Sequence, residues 1–477
     1  MSNLALPGNP RYQPKELVPY FGYDNLYRPV AEVELATLEV LAEIGVIPAE
    51  DMALLTPQKR EKVLSIITTE VDKVEREVTK HDIRALVRLI QEILGPRLGR
   101  WVHIPLTSYD ALATARSLQF VRAHKETVRP SIKKVADIFI EKIRETANIV
   151  QIGRTHGQHA LPVTVGFWLA TILDRIINNV FEADYYDDTI EGKISGAVGA
   201  YNAQRFLGFT DLCGAESFED RVLEKLGLKP ALISTQILPP EGLSYFLFSY
   251  FMLTGAFAQF GRDCRHLMRS EIGEVAEEFE KGQVGSSTMA NKKNPLNFEN
   301  LEGMHIRTFA ELQKVLLTIV SEHQRDLVGS SVARDFAIIA VNLQQQLNTL
   351  LRNNKEGVPW LERVTFNYDA LRRNFQMSSD VILAEPLYIA LQMAGYEGDA
   401  HHLVTHKLMP FAQSRKMSLV HALNFYAEND QDVRKALNGI PQETLVLLND
   451  PGQYVGDASE KALAVVEKTE EYWSSNP

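Results

Sequence analysis

The densest run of chemistry-bearing residues is Gly285-Ser286-Ser287-Thr288-Met289-Ala290-Asn291-Lys292-Lys293-Asn294-Pro295. It offers hydroxyls, consecutive backbone N–H groups, two ammonium groups and a carboxamide, closed by Pro295 at the start of the next helical stretch. Such groups suit an anion, above all a carboxylate that gains charge during a reaction. They would equally make a plain polar loop between helices, and composition alone does not choose. Elsewhere, Thr155-His156-Gly157-Gln158 carries a lone imidazole, which could be a proton donor or a satisfied structural ring. No Walker-type phosphate loop, dinucleotide fingerprint or Ser-His-Asp arrangement is evident. Cys213 and Cys264 lack metal-ligand spacing, and His401-His402 lacks the i,i+4 step of a helical metal pair. Neither a metal nor a cofactor is expected.

Long helices must position these groups. Over residues 110–148, Leu112, Ala115, Leu118 and Val121, then Ile132, Val135, Phe139 and Ile143, fall on one stripe in steps of three and four. Pro130 is expected to kink or briefly break that run. Further helical stretches read at 165–182, 244–281, 296–324 and 336–352, with no βαβ alternation and no period-2 strand. The expected fold class is all-α. An elongated bundle of long helices (111–364) is flanked by two smaller helical domains (1–110 and 365–477). A slender bundle covers its own apolar faces poorly, so an oligomer is expected.

Of 477 residues, 45% are hydrophobic and 23% charged, ordinary values for a globular protein. Fifty Lys and Arg against 61 Asp and Glu leave a net charge of −11, which argues against nucleic acid or a basic membrane-surface role. Two cysteines fit a reducing compartment, and the first residues show no basic and apolar signal pattern, so a cytoplasmic location is expected. Residues 242–261 form a run without charge, of the length that spans a bilayer. The run contains Ser244, Ser249 and Gln259 and continues into Arg262, Asp263 and Arg265, which reads as a helix buried in a bundle.

Three ordered blocks carry a resemblance. The 285–295 run is similar to the GSSxMPxKxNP signature of the fumarase/aspartase superfamily, lyases that release fumarate from succinyl compounds. Thr107-Ser108-Tyr109-Asp110 resembles its TSxD block, and Thr155-His156-Gly157-Gln158, with Pro162 and Thr164, its TxHxQ…PxTxG block. Within the superfamily the chain looks most like the adenylosuccinate lyase branch. The residues that favour this branch are Arg11-Tyr12, Lys80-His81-Asp82, Trp101-Val102-His103, the Gly192–Gly199 run GKISGAVG, and Gln324-Arg325-Asp326-Leu327 with Ser330 and Arg334. Ala290, Asn291 and His159 stand where the family pattern has Pro, His and Pro; Ala290 removes a φ restraint from the loop.

The resemblance implies β-elimination of fumarate from adenylosuccinate and from succinylaminoimidazole carboxamide ribotide, in purine biosynthesis. It makes Ser286 the general base, activated only once the loop supplies N–H groups and Lys292 beside it, because a free serine hydroxyl is far too weak an acid. Lys292 and Asn294 would hold the doubly charged aci-carboxylate, and His156 would protonate the leaving nitrogen with Glu299 orienting it. Arg11, Tyr12, Arg325, Ser330 and Arg334 become phosphate candidates, and Thr107, Ser108, Ser287 and Gln236 candidates for the succinyl carboxylates and nearby polar atoms. His81 and Asp82 are expected near the ribose-phosphate or base, and His103 and Gln158 among the substrate-facing residues. Two rival readings remain. A superfamily lyase for another succinyl compound would have no use for Arg325, Ser330 and Arg334, and a catalytically silent scaffold would have lost Ser286, His156 or Lys292.

The resemblance also implies a homotetramer whose sites are shared between chains. Thr107-Ser108 opens the long helical run and His156 follows its end, some 40 residues or ~60 Å away if the run is straight. If both touch one small substrate, they come from different copies.

Overall fold

The computed structural model describes residues 5–278, 289, 292–325 and 328–476. The chain folds into two compact units, one made of Met1–Lys134, Asn178–Ala258 and Asn300–Leu351, the other of Val135–Ile177, Gln259–Glu299 and Arg352–Pro477. Both are built mainly of helices, as expected.

In the first unit, helix Asp82–Leu94 buries Ile83, Leu86, Val87, Ile90 and Leu94, the i, i+3, i+4, i+7, i+11 stripe of an amphipathic helix. It stops at Gly95, whose φ of +83° suits glycine, and Pro96 opens the next turn. The stripe packs into one core with helices Arg28–Glu43 and Ser108–Ala123. The α-helical run is briefly interrupted just before Pro130. A π turn over His124–Val128 widens the helix just before it, and Arg129–Thr146 continues. The wide turn relieves the clash that a proline ring makes with the preceding turn, and Pro130 has no N–H to lose.

In the second unit the expectation of no strands fails. Val150–Thr155 and Gln158–Thr164 form an antiparallel hairpin with Thr155 opposite Gln158. His156 and Gly157 make its two-residue turn with φ of +54° and +76°, the type I′ pattern that matches strand twist. Gly153 sits at an irregularity in the pairing, where a Cβ would meet the Leu161 carbonyl oxygen at 2.7 Å. Glycine there and Pro162 in the second strand hide the alternation from sequence.

The helix expected over 244–281 ends early, running from Glu241 to Leu267. Gly273, at φ +65°, turns the chain, and Val275–Glu277 pairs with Val364–Phe366. The reason is Glu274. Its fully buried carboxylate takes two hydrogen bonds from the Arg154 guanidinium (2.6 and 3.1 Å), one from Gln151 (2.8 Å) and one from Asn374 (2.8 Å). A bidentate guanidinium–carboxylate pair with every lone pair satisfied is the geometry that offsets desolvation. The helix Leu296–Leu317 likewise ends before the expected 324, where Thr318 Oγ1 donates to the Val315 carbonyl. Of the apolar window in Glu241–Leu267, 61% is buried in the protein, as the expected core helix would be.

Replacing Glu274 by Leu strands the Arg154, Gln151 and Asn374 donors, and should cost about 3–5 kcal/mol in urea unfolding. A loss under about 1 kcal/mol would show that this carboxylate does not anchor the hairpin.

Candidate functional site

Asp110 organises the TSxD block. Its side chain is 1% exposed, and one oxygen receives the Lys193 ammonium, itself 0% exposed, together with the Gly196 N–H at 3.1 Å. The other accepts from the Thr107 backbone N–H at 2.8 Å, a cap at the start of helix Ser108–Ala123. Thr114 Oγ1 donates to the Lys193 carbonyl (2.9 Å) and accepts from the Lys193 N–H (3.0 Å). The 192–199 run is thereby bolted to the helix that presents Thr107 and Ser108. Asp110 and Lys193 are structural supports of the site.

Above this support lies a cavity of about 670 Å³ in the first unit. His81, Asp82, Thr107, Ser108, Gln236, Arg325, Ser330 and Arg334 all line it, among apolar walls from Leu26, Tyr27, Val30, Leu112 and Phe120. Sequence reasoning left Tyr109 without a role, and the structure gives it one. Its ring carries the Arg325 guanidinium 3.6 Å from the centroid, and its hydroxyl donates to Ser330 Oγ at 2.8 Å. Arg325 also donates to Gln236 Oε1 at 2.8 Å, and Arg334 lies 3.7 Å from the Asp82 carboxylate. Burial pushes the Tyr27 hydroxyl's pKa well above its ordinary value, so it faces the cavity protonated. Arg116 also lines this cavity and was missed. The available signal was its position eight residues after Ser108, on the same helix face.

Other expected residues are placed elsewhere. His103 Nδ1 bonds the buried Glu34 carboxylate at 2.7 Å and does not line the cavity. Neither do Arg11 and Tyr12; the Tyr12 ring lies under Arg307, 5.0 Å from its guanidinium carbon. His156 and Gln158 are exposed at the hairpin turn of the second unit. His159, two positions beyond the turn, bonds Ser378 Oγ at 2.8 Å, and burial, then the Arg154 charge, lowers its pKa. Lys292 is exposed and Asn294 half-buried just before helix Leu296–Leu317, which carries an exposed Glu299 on its first turn. Ser286 and Ser287 lie outside the described residues, as do Ala290 and Asn291. Among the described residues no group of three or more His, Cys, Asp or Glu could hold a metal.

The chemistry available is therefore anion binding by several guanidinium groups beside hydroxyl donors in one unit, and proton transfer by an exposed imidazole in the other. A lyase family profile matches residues 28–309. The chain is 31% identical to the adenylosuccinate lyase of Archaeoglobus fulgidus, over 97% of this chain and 98% of that one. It is 32% identical to the adenylosuccinate lyase of Pyrococcus horikoshii, over 97% of each. Its fold is similar to the crystal structure of 3-carboxy-cis,cis-muconate lactonizing enzyme from Pseudomonas putida, with a TM-score of 0.79 at 23% identity over 97% of this chain and 98% of that one. The chain is thus a lyase and belongs to the adenylosuccinate lyase family of the fumarase/aspartase superfamily.

Proposed function

We propose that this lyase eliminates fumarate from adenylosuccinate, leaving AMP, and from succinylaminoimidazole carboxamide ribotide. The observation that carries the reading is the cavity in which Arg325, Arg334 and Ser330 stand beside Thr107 and Ser108. A succinyl compound without phosphate would not need that set. In the reaction the Cβ proton passes to Ser286, the C–N bond breaks, and the departing nitrogen takes a proton from His156. Lys292 and Asn294 hold the aci-carboxylate, Glu299 orients the imidazole, and Thr107, Ser108, Ser287 and Gln236 hold the carboxylates. Arg11 and Tyr12 join the phosphate contacts, with His81, Asp82, His103 and Gln158 at the substrate's periphery.

The protein acts as a homotetramer, each site drawing on more than one copy. Exposed apolar side chains on the long helices support self-association: Ile306 is 63%, Phe309 53% and Leu317 80% exposed, with Tyr245 and Phe248 on a neighbouring helix. Sharing of sites between copies is what the resemblance to the superfamily implies.

Two measurements test this. Purified protein should release fumarate from adenylosuccinate far faster than from argininosuccinate or aspartate; a preference for either of the latter would overturn the substrate. For sharing, His156→Ala and Ser108→Ala proteins, each nearly inactive, are unfolded and refolded together. Hybrids should regain a measurable fraction of wild-type activity, whereas hybrids as inactive as their parents would refute shared sites.

A further inference from the structure

The cavity holds more positive charge than its own carboxylates match. Asp82 already faces Arg334 at 3.7 Å and His81 at 3.3 Å. The other lining carboxylate, Asp335, is engaged by Lys314 at 2.7 Å. That leaves Arg116. It points inward from helix Ser108–Ala123, on the face that also carries Ser108, Leu112 and Ala115. It stands in the wall between this cavity and a smaller one of about 140 Å³, so it keeps partial exposure while its neighbours strip it of solvent. Among the described residues no carboxylate pairs with it. Burial lowers its pKa, the nearby Tyr109 hydroxyl opposes that, and the like charge of Arg334 adds to it. An inward guanidinium without a counter-charge, lining the same cavity as a second guanidinium, is unfavourable unless an anion arrives between them.

We propose that Arg116 is a substrate-binding residue that grips, jointly with Arg334, the phosphate dianion of the nucleotide. Two fork-shaped donors match a tetrahedral dianion, each able to present a pair of N–H groups to its oxygens. This rests on the nucleotide reading given above. It adds a residue outside all the sequence motifs, on the helix whose first turn meets the succinyl end. The helix that starts with Thr107 and Ser108 then touches both ends of the substrate, which makes the length between them a specificity gauge.

The test compares full-length wild-type protein with Arg116→Met and Arg116→Lys, titrated with AMP, adenosine and fumarate, and melted with and without inorganic phosphate. Arg116→Met removes the uncompensated charge, so without ligand it should melt no lower than wild type. Its AMP affinity should fall about 10- to 100-fold, with adenosine and fumarate unaffected and phosphate no longer raising the melting temperature. Arg116→Lys should recover part of the AMP affinity. Equal weakening of AMP and adenosine, weakening of fumarate alone, or a destabilised variant with unchanged AMP affinity would each overturn the assignment. If wild type binds AMP and phosphate and Arg116→Met binds both equally well, this inference fails and the nucleotide reading stands. If wild type binds no AMP, the nucleotide reading fails.

Discussion

The Asp110 carboxylate, buried against the Lys193 ammonium, is the constraint on which the anion cavity depends. Neither charge has water to fall back on, so each is held by the other and by backbone groups: Gly196 N–H and Thr107 N–H on the acid, the Gly196 carbonyl on the base. Removing either partner alone would leave a buried charge. The contact also joins segments 83 residues apart in sequence, so the loop carrying the 192–199 run and the start of helix Ser108–Ala123 form as one piece. Thr107 and Ser108 face the cavity because that piece leaves the helix start no other orientation.

The second unit uses the same device for a different end. Glu274 collects Gln151 and Arg154 from the first strand of the hairpin and Asn374 from helix Tyr368–Ser379, and thereby fixes the strand that leads into the turn exposing His156. One buried carboxylate thus supports a helix start that lines the cavity, and another supports the hairpin that exposes His156. In both, the chemistry-bearing residue lies a few positions from the carboxylate's partner, at an element's end, where side chains can reach a ligand. Tyr109 extends the logic: one aromatic ring carries Arg325 on its face and Ser330 at its hydroxyl, setting two cavity-lining polar groups with one rigid side chain.

Much of this was legible in the sequence. The three-and-four spacing of apolar residues marks the long helices, and the TSxD and TxHxQ blocks lead to Thr107, Ser108 and His156. The features that escaped have physical reasons. The hairpin hides because Gly153 and Pro162 interrupt alternation and because its turn is His-Gly in place of the more familiar Asn-Gly. The end at Leu267 follows from Glu274 pairing with groups more than a hundred residues away in sequence, which periodicity cannot register. Arg116 reads as a solvated helix charge until the fold encloses it.

The most direct measurement is fumarate release by the double variant Asp110→Leu/Lys193→Met, which replaces the buried pair with apolar groups of similar size and so spares the fold the cost of a lone charge. If the carboxylate sets the site by fixing Thr107 and Ser108, the variant should unfold near the wild-type denaturant midpoint. Its turnover of adenylosuccinate should nevertheless drop by about a hundredfold, the scale of an ångström's misplacement at a reacting centre. A variant equally stable and within twofold of wild-type turnover would contradict the claim.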